Sequence, residues 1–223
     1  MNFDLQYMLE ISLQIAKFIP ITLVLAIISM ALAIIIGLVV ALIRNSNFFG
    51  ITHLAGLYIS LFRGMPTLVQ LFIIYYGLPQ LFPSLSTMEA MTAAIIGFSL
   101  KESSYLAEIF RAGLNSVDKG QMEAGLATGM KRVQIYSRII LPQAALNALP
   151  ATGNTFISLI KETSLAFTLG ITELFAEGKI IASANMRFFE TYLVVGLIYW
   201  LLVILYSWIQ KYLEIWLSKP LRR

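Results

Sequence analysis

Long uncharged stretches separated by short charged segments dominate the sequence. No Asp, Glu, Lys or Arg falls between Lys17 and Arg44, between Arg63 and Glu89, or between Glu190 and Lys211. A helix needs roughly 20 mainly apolar residues to cross about 30 Å of hydrocarbon. The three stretches therefore predict three membrane-spanning helices, over about 15–43, 57–80 and 190–217.

Two further apolar segments are interrupted. The first, from about residue 88 to 113, carries charges that a lipid-facing helix tolerates only at high cost, namely Lys101, Glu102, Glu108 and Arg111. The second, from about residue 143 to 172, contains Pro150 and Gly153 and continues past Lys161 and Glu162. We predict a helix facing protein or water for the first and an irregular helix for the second. The fold class is then an all-α membrane protein with five transmembrane helices, forming one domain over residues 1–223.

Composition excludes several functional classes. Hydrophobic residues make up 58% of the chain and charged residues 13%, with a mean hydropathy of +0.79, which excludes an ordinary soluble domain. There is no cysteine and a single histidine, His53, so we expect no disulfide, no metal site and no catalytic residues. The net charge of +4 comes from Lys and Arg spread over loops and ends, which does not favour nucleic-acid binding.

The distribution of basic residues predicts the orientation, because cytoplasmic loops are enriched in Lys and Arg. One predicted side holds Arg44, Lys119, Lys131, Arg132, Arg138, Lys211, Lys219, Arg222 and Arg223. The other holds Asp4, Glu10 and Glu89, with Lys179 and Arg187 offset by Glu173, Glu177 and Glu190. We therefore place the N-terminus outside and the C-terminus in the cytoplasm. The acidic N-terminus differs from a cleaved signal, so the first helix is expected to be retained.

The longest polar segment, about 114–142, predicts a helix, a turn and a second helix. Gly129 can adopt the positive φ that ends a helix, and Pro142 suits the first turn of the next one. Small residues at Ala124 and Gly125 would let a soluble partner approach closely. A solvated connecting loop is the alternative interpretation.

This segment resembles the EAA loop of ABC importer permeases, which has Glu-Ala-Ala, a later Gly and then Ile-x-Leu-Pro. The matching residues are Glu123, Ala124, Gly129, Leu141 and Pro142, with Ile139 or Ile140 at the Ile position. Gly125 replaces the second Ala, which weakens a helix by about 1 kcal/mol. The resemblance implies that these residues couple the chain to an ATPase.

Three more segments are similar to polar amino acid permeases of the His/Gln/Arg/cystine type: LFRGMPTLVQLFIIYYGLP (61–79), SYLAEIFRAGLNSVDKGQ (104–121) and FISLIKETSL (156–165). The resemblance implies a multi-pass subunit of the bacterial cytoplasmic membrane that imports a polar amino acid by alternating access. It also implies a second permease subunit, two ATPase subunits that bind ATP and Mg, and an extracytoplasmic binding protein. No G-x-x-x-x-G-K-[ST] loop occurs in this chain, so we expect no cofactor on it and ATP hydrolysis on a partner.

Glu162 is the main candidate for substrate contact. It and Lys161 lie in an apolar segment, point about 100° apart on a helix and so need separate partners. A carboxylate there could receive an ammonium group, while Thr163, Ser164 and a broken-helix amide could receive a carboxylate. The alternative is a structural ion pair, either Glu162 with Lys101 or Lys161 with Glu102.

Three other sets of residues complete the site prediction. Lys101 and Glu102 depart from the small uncharged residues of the resembled family, either to suit a substrate with two charged ends, such as cystine, or as a salt bridge. Gln70 either lines the same cavity or bonds a neighbouring helix. Arg63 and the Glu108–Arg111 pair are expected to be structural, and Tyr199 to be an interfacial or lipid-facing residue.

A secondary transporter or channel is the competing function. Such a chain would be expected to contain an internal repeat, and five unpaired crossings argue against it. The sequence leaves open whether the substrate is cystine, a cationic amino acid or another polar one. It also leaves open whether the permease pairs with itself or with a different chain.

Overall fold

The computed structural model describes residues 3–46 and 48–218. Lys219, Arg222 and Arg223, which we counted among the cytoplasmic charges, lie outside the described residues. Within the described ranges the structure is helical and contains no strand. In chain order the α-helices are α1 (Leu5–Ala16), α2 (Ile19–Arg44), α3 (Phe49–Gly64), α4 (Thr67–Phe72), α5 (Leu78–Leu81), α6 (Ala90–Asn115), α7 (Gly120–Ala127), α8 (Arg132–Ile135), α9 (Leu141–Glu162), α10 (Leu174–Asn185) and α11 (Phe188–Ser218).

Helices α2 and α6 form the centre of the fold and pack closely along their length. At Gly37 a β-carbon would lie 2.9 Å from Leu106 Cβ, so only glycine allows this approach of the two backbones. The Ser99 hydroxyl donates to the Ser29 carbonyl at 3.2 Å across the same contact. This rigid pair carries Lys101 and Glu102 in its buried part.

The predicted continuous helix over 57–80 is wrong, because the chain breaks after Gly64. The segments Phe49–Gly64 and Thr67–Leu81 meet at 109°. Pro66 has no amide donor and disfavours helical backbone in the residue before it, and Met65 is indeed extended with φ −97° and ψ 137°. Gly64 and Pro66 at the break are exposed, and Met65 between them is half-buried.

Two π-helical segments, Ile73–Gly77 and Tyr136–Ile140, each end immediately before a Leu-Pro pair. The prolines of these pairs, Pro79 and Pro142, cannot donate to the carbonyl four residues earlier. Wider π-turns absorb that lost bond without stopping the helix. The helical path from α8 into α9 is therefore unbroken from Arg132 to Glu162.

The first predicted helix, over 15–43, corresponds to α2, and a separate helix, α1, precedes it. Helix α1 was not predicted, and its first turn is capped by Asp4, which accepts a bond from Tyr7 N at 3.0 Å. Pro20 lies in the first turn of α2, a position that needs no amide donor. Helix α1 packs against α10 and α11 through Met8, Ile11, Ile15, Leu174, Ile181, Val194 and Val195.

The remaining boundaries are closer to prediction. Helices α6 and α11 begin and end within two residues of the predicted spans at 88–113 and 190–217. The α-helical part of the irregular fourth helix ends at Glu162. The chain then continues as a 3-10 helix over Thr163–Leu169 and turns at Gly170, which has φ 87°.

Among the described residues, α2 and α11 are long and apolar enough to cross a membrane, and the bent pair beginning with α3 makes three if it is one span. Five crossings remain a proposal.

Candidate functional site

A cluster of three charged side chains lies where α6 meets the end of α9. The Lys101 ammonium donates to Glu102 Oε1 at 2.7 Å and to both oxygens of Glu162, at 2.8 and 2.9 Å. Lys101 and Glu102 are buried, whereas the Glu162 side chain keeps 29% of its surface accessible. Glu162 is thus the accessible edge of a mostly buried ion cluster.

Two helix discontinuities meet at this cluster. Glu162 is the last residue of α9, and Thr67, the first residue of α4 after the break, donates its hydroxyl to Glu162 Oε2 at 3.3 Å. The Tyr105 ring lies below two cations, with Lys101 Nζ 4.9 Å and Arg63 Cζ 5.2 Å from its centroid. Irregular backbone at this depth is tolerated only where protein or water satisfies it.

The charges in the cluster do not cancel. One ammonium serves two carboxylates, so the three side chains carry a formal charge of minus one, and the exposed carboxylate is the one most easily shared with another cation. A buried charge is strongly destabilising without a partner. The arrangement can therefore exchange the partner of Glu162 more readily than that of Glu102.

The structure contains one of the two predicted ion pairs. Glu162 pairs with Lys101, while the alternative of Lys161 with Glu102 is wrong, because Glu102 bonds Lys101 and the Lys161 side chain is exposed. Thr163 and Ser164 donate their hydroxyls to the backbone carbonyls of Ile160 and Lys161 at 2.7 and 2.8 Å. Neither hydroxyl is therefore available to donate a hydrogen bond to the Lys101–Glu102–Glu162 cluster.

Gln70 stabilises the helix break. Its amide nitrogen donates to the carbonyls of Phe62 and Met65, at 2.9 and 2.8 Å, which are end groups of α3. Its own Oε1 is buried and accepts no bond within the described residues. Of the two interpretations of Gln70, bonding between helices therefore fits its contacts better than lining a cavity.

The segment 114–142 contains α7, a turn with Gly129 at φ 79°, and α8. Ala124 is exposed, as is Glu123, which lines a cavity of about 380 Å³ with Lys119, Met122 and Tyr136 among others. Gly125, which we predicted to let a partner approach closely, does not lie on the surface. It is buried against α8, where a β-carbon would lie 2.7 Å from Ile135 Cγ1.

Several charges differ from their predicted surroundings. Glu173, assigned to the outer charged loops, is fully buried. Arg187 pairs with Asp4 at 2.9 Å, and Lys179 Nζ lies 4.4 Å from the Phe167 ring centroid. The Glu108–Arg111 pair is present as predicted, at 2.6 Å.

Sequence reasoning missed Thr67, Tyr105 and Tyr199. Thr67 directly follows the Gly-Met-Pro break, and Tyr105 lies one helical turn after Lys101. Their spacing from the break and from Lys101 was therefore the available signal. Tyr199 was interpreted as interfacial or lipid-facing, yet its hydroxyl bonds the buried Glu173 at 2.9 Å.

Comparison with known proteins gives consistent matches. The family described as binding-protein-dependent transport system inner membrane component matches residues 33–219. The probable amino-acid permease protein YxeN of Bacillus subtilis (strain 168) is 59% identical over 98% of both chains. The L-cystine transport system permease protein TcyL of the same organism is 36% identical over 95% of this chain and 90% of that relative. In a solved amino acid ABC transporter with histidines, one chain is 34% identical, with a TM-score of 0.87 covering 96% of this chain and 99% of that one.

Proposed function

Because this chain belongs to the family of binding-protein-dependent transport system inner membrane components, we propose that the Lys101–Glu102–Glu162 cluster is where it holds its substrate during transport. The chain is the membrane permease subunit of an amino-acid ABC transporter, and it is a transport subunit, not an enzyme. The cluster supports the substrate role because it combines an accessible carboxylate with a helix break, the arrangement that membrane transporters use to bind charged solutes.

The substrate inserts into the Lys101–Glu162 ion pair. Its α-ammonium group takes the place of the Lys101 ammonium on Glu162, and its α-carboxylate takes the place of Glu162 on Lys101. Every charge keeps an opposite partner throughout, so the exchange avoids the large cost of an unpaired charge in the membrane. Glu102 remains bonded to Lys101 and holds the ammonium in position.

The substrate class is a polar amino acid, with cystine or a cationic amino acid as the first choices. A cystine permease and an arginine permease of Bacillus subtilis are both 36% identical to this chain. The formal charge of minus one in the cluster favours the cationic amino acid of the two, because cystine brings as many carboxylates as ammonium groups. Lys161, Thr163 and Ser164 complete the path on the α9 side, and Gln70 preserves the break beside it.

The working transporter contains a second permease subunit, identical or different, two ATPase subunits that bind ATP and Mg, and an extracytoplasmic binding protein. In this assembly α7 docks on the ATPase through Glu123 and Ala124. Gly125, Gly129, Leu141 and Pro142 give the loop its shape, and alternating access moves the substrate into the cytoplasm. The chain crosses the cytoplasmic membrane five times, with the N-terminus outside.

Binding by the purified permease–ATPase complex, without the binding protein, tests the site directly. We expect labelled arginine or cystine to bind, and Lys101→Met to weaken that binding by about tenfold or more, as expected for loss of a charged hydrogen bond. Agmatine, which is arginine without its carboxylate, should compete poorly because it cannot satisfy Lys101. Equal binding by the variant, or equal competition by agmatine, would contradict the insertion mechanism.

A further inference from the structure

A fourth charged side chain, that of Arg63, lies beside the substrate cluster. Arg63 is in the last turn of α3, directly before the helix break, and it is exposed. Its Cζ lies 5.2 Å from the centroid of the Tyr105 ring, and Lys101 Nζ lies 4.9 Å from the same centroid. The two cationic atoms are therefore no farther apart than the sum of these two distances, about 10 Å.

Capping of α3, the simplest structural role, does not account for the Arg63 guanidinium. A basic side chain in the last turn can stabilise a helix by bonding its free carbonyls. Here Gln70 donates to the carbonyls of Phe62 and Met65, at 2.9 and 2.8 Å, and the guanidinium lies over Tyr105 instead. Among the residues that the structure describes, Arg63 forms no ion pair. Its positive charge is thus available to another partner.

The contact with Tyr105 leaves this guanidinium able to bind a carboxylate. A cation above an aromatic ring is attracted by the face of the ring, so this contact need not occupy the N–H donors. A guanidinium carries five such donors in a planar fork that matches the two oxygens of a carboxylate. The fork lies close to the cluster, because Thr67, four residues after Arg63, donates to Glu162 at 3.3 Å. The substrate site therefore offers a second place for a carboxylate besides Lys101.

We propose that Arg63 is a specificity-determining residue that binds a second carboxylate of the substrate, as in cystine. The inference rests on the substrate role proposed above for the Lys101–Glu162 pair. One end of cystine inserts into that ion pair, and the other end places its carboxylate on the Arg63 guanidinium. The second ammonium group of cystine stays hydrated, because Arg63 is exposed.

Cystine has the length that this arrangement requires. Two α-carbons joined through a disulfide are usually about 4.4–6.8 Å apart. Each carboxylate carbon lies about 1.5 Å from its α-carbon, and a charged hydrogen bond adds about 2.8 Å. One molecule can therefore bridge the Lys101 ammonium and the Arg63 guanidinium, which are at most about 10 Å apart.

Arg63 also changes the charge of the substrate site. The Lys101–Glu102–Glu162 cluster alone carries a formal charge of minus one and favours a cationic amino acid. With Arg63 the formal charges sum to zero, which suits cystine, whose two ammonium groups and two carboxylates cancel. The guanidinium of a bound arginine would instead meet a like charge. Arg63 thus shifts the preference of the site toward a substrate with a second carboxylate.

Binding of labelled cystine and labelled arginine to the purified permease–ATPase complex, without the binding protein, tests this role. We expect Arg63→Gln to raise the Kd for cystine by about tenfold or more, because a charged hydrogen bond is lost. The Kd for arginine should fall by about twofold, because a like charge is gone. An equal change for both substrates would overturn the proposal, and a lower melting temperature with it would show that Arg63 only stabilises the break.

Arg44→Gln is the matched control. Arg44 is also exposed, at the end of α2, and its Cζ lies 3.5 Å from where a β-carbon on Gly56 would be, two turns of α3 before Arg63. This variant removes the same charge without touching Tyr105, so the ratio of the two Kd values should stay as in the unaltered complex. A ratio that changes as in Arg63→Gln would contradict a specific role of Arg63.

A comparison of two competitors makes the test independent of whether the variant assembles. The mixed disulfide of cysteine and cysteamine is cystine without one carboxylate, so it can satisfy Lys101 and Glu162 but not Arg63. In the unaltered complex it should compete with labelled cystine about tenfold less well than unlabelled cystine does. In Arg63→Gln the two competitors should be about equal. Equal competition in the unaltered complex would overturn the role of Arg63.

Lys101→Met separates failure of this inference from failure of the proposed function. If Lys101→Met leaves the Kd for both substrates unchanged, the substrate role of the cluster is wrong, and the inference fails with it. If Lys101→Met raises both Kd values while Arg63→Gln does not alter their ratio, only the role of Arg63 is wrong.

Discussion

Lys101 is bonded to two carboxylates, and this decides how the protein responds to loss of each charge. Without Glu162, Lys101 still has Glu102 at 2.7 Å, so a neutral buried pair remains. Without Lys101, two carboxylates that share one ammonium face each other with no cation between them. Removing one partner of a buried pair costs about 3–5 kcal/mol. The cluster should therefore tolerate the loss of the Glu162 charge but not the loss of the Lys101 charge.

We therefore predict that Glu162→Gln reduces uptake at least about tenfold with little change in the melting temperature of the complex, because only the transport contact is lost. Lys101→Met should reduce both uptake and the melting temperature. In the double variant of Glu162→Gln and Lys101→Met, the melting temperature should recover in part because one carboxylate is gone, but uptake should not recover. Glu10→Gln, at an exposed carboxylate, is the control. Recovery of uptake and melting together in the double variant would show that Glu162 only balances Lys101.

The sequence identifies the charged members of the cluster and offers the Glu162–Lys101 pair as one of two alternatives, without deciding between them. Lys101, Glu102 and Glu162 stand out because ionisable residues are costly in an apolar segment. Their partners depend on how α6 and α9 cross, which no local pattern encodes. Thr67 and Tyr199 escape notice for a different reason: a hydroxyl in an apolar stretch has the same appearance whether it faces lipid, a carbonyl or a buried carboxylate.

At the scale of the helices, the apolar segments predict α2, α6 and α11 well, and this signal fails where a helix bends. The second predicted span contains Pro66 inside an apolar run, and counting charges alone hides the 109° bend that follows from it. Helix α1 is missed because it is short and Glu10 interrupts its apolar pattern. The cap at Asp4 and the buried face formed by Met8, Ile11 and Ile15 stabilise it.

Gly125 offers a test of the loop formed by α7 and α8. We predict that Gly125→Ala destabilises this loop, because a β-carbon 2.7 Å from Ile135 Cγ1 costs about 1–3 kcal/mol, more than the gain of about 1 kcal/mol in helix propensity. The readout is faster proteolysis of residues 114–142 and weaker co-purification of the ATPase. Ile135→Ala should restore both properties in the double variant. Gln121→Ala, at an exposed position of α7 outside the proposed docking contact, is the control. An intact loop in Gly125→Ala would show that Ile135 moves aside freely.

At the scale of the whole molecule, the surface is apolar in the way a membrane requires. Large exposed side chains cover α2 and α11, including Ile35, Leu42, Trp200, Trp208 and Trp216. In water such a surface would cause aggregation, whereas lipid or a second permease subunit covers it without cost. The Lys101–Glu102–Glu162 cluster lies mostly in the protein interior instead.

The predicted orientation is tested with reporters. A reporter fused after Arg223 should report the cytoplasm and one inserted between Glu173 and Arg187 the outside, because basic loops are retained inside. Insertion near Ser183, which is exposed, avoids the buried Glu173 cap. A reporter in the loop 114–131 serves as an independent cytoplasmic reference. Agreement of the first two reporters on one side would show that α11 does not cross the membrane between them, and would contradict the proposed orientation.

The unbroken helical path from Arg132 to Glu162 has a mechanical consequence. At 1.5 Å per residue this path is about 45 Å long, so a tilt of roughly 5° at its loop end displaces the other end by about 4 Å, more than a hydrogen-bond length. The π segment at Tyr136–Ile140 joins the short α8 arm of this path to the long α9 arm that ends at Glu162. We expect any tilt of α8 that this segment transmits to move Glu162 away from Lys101.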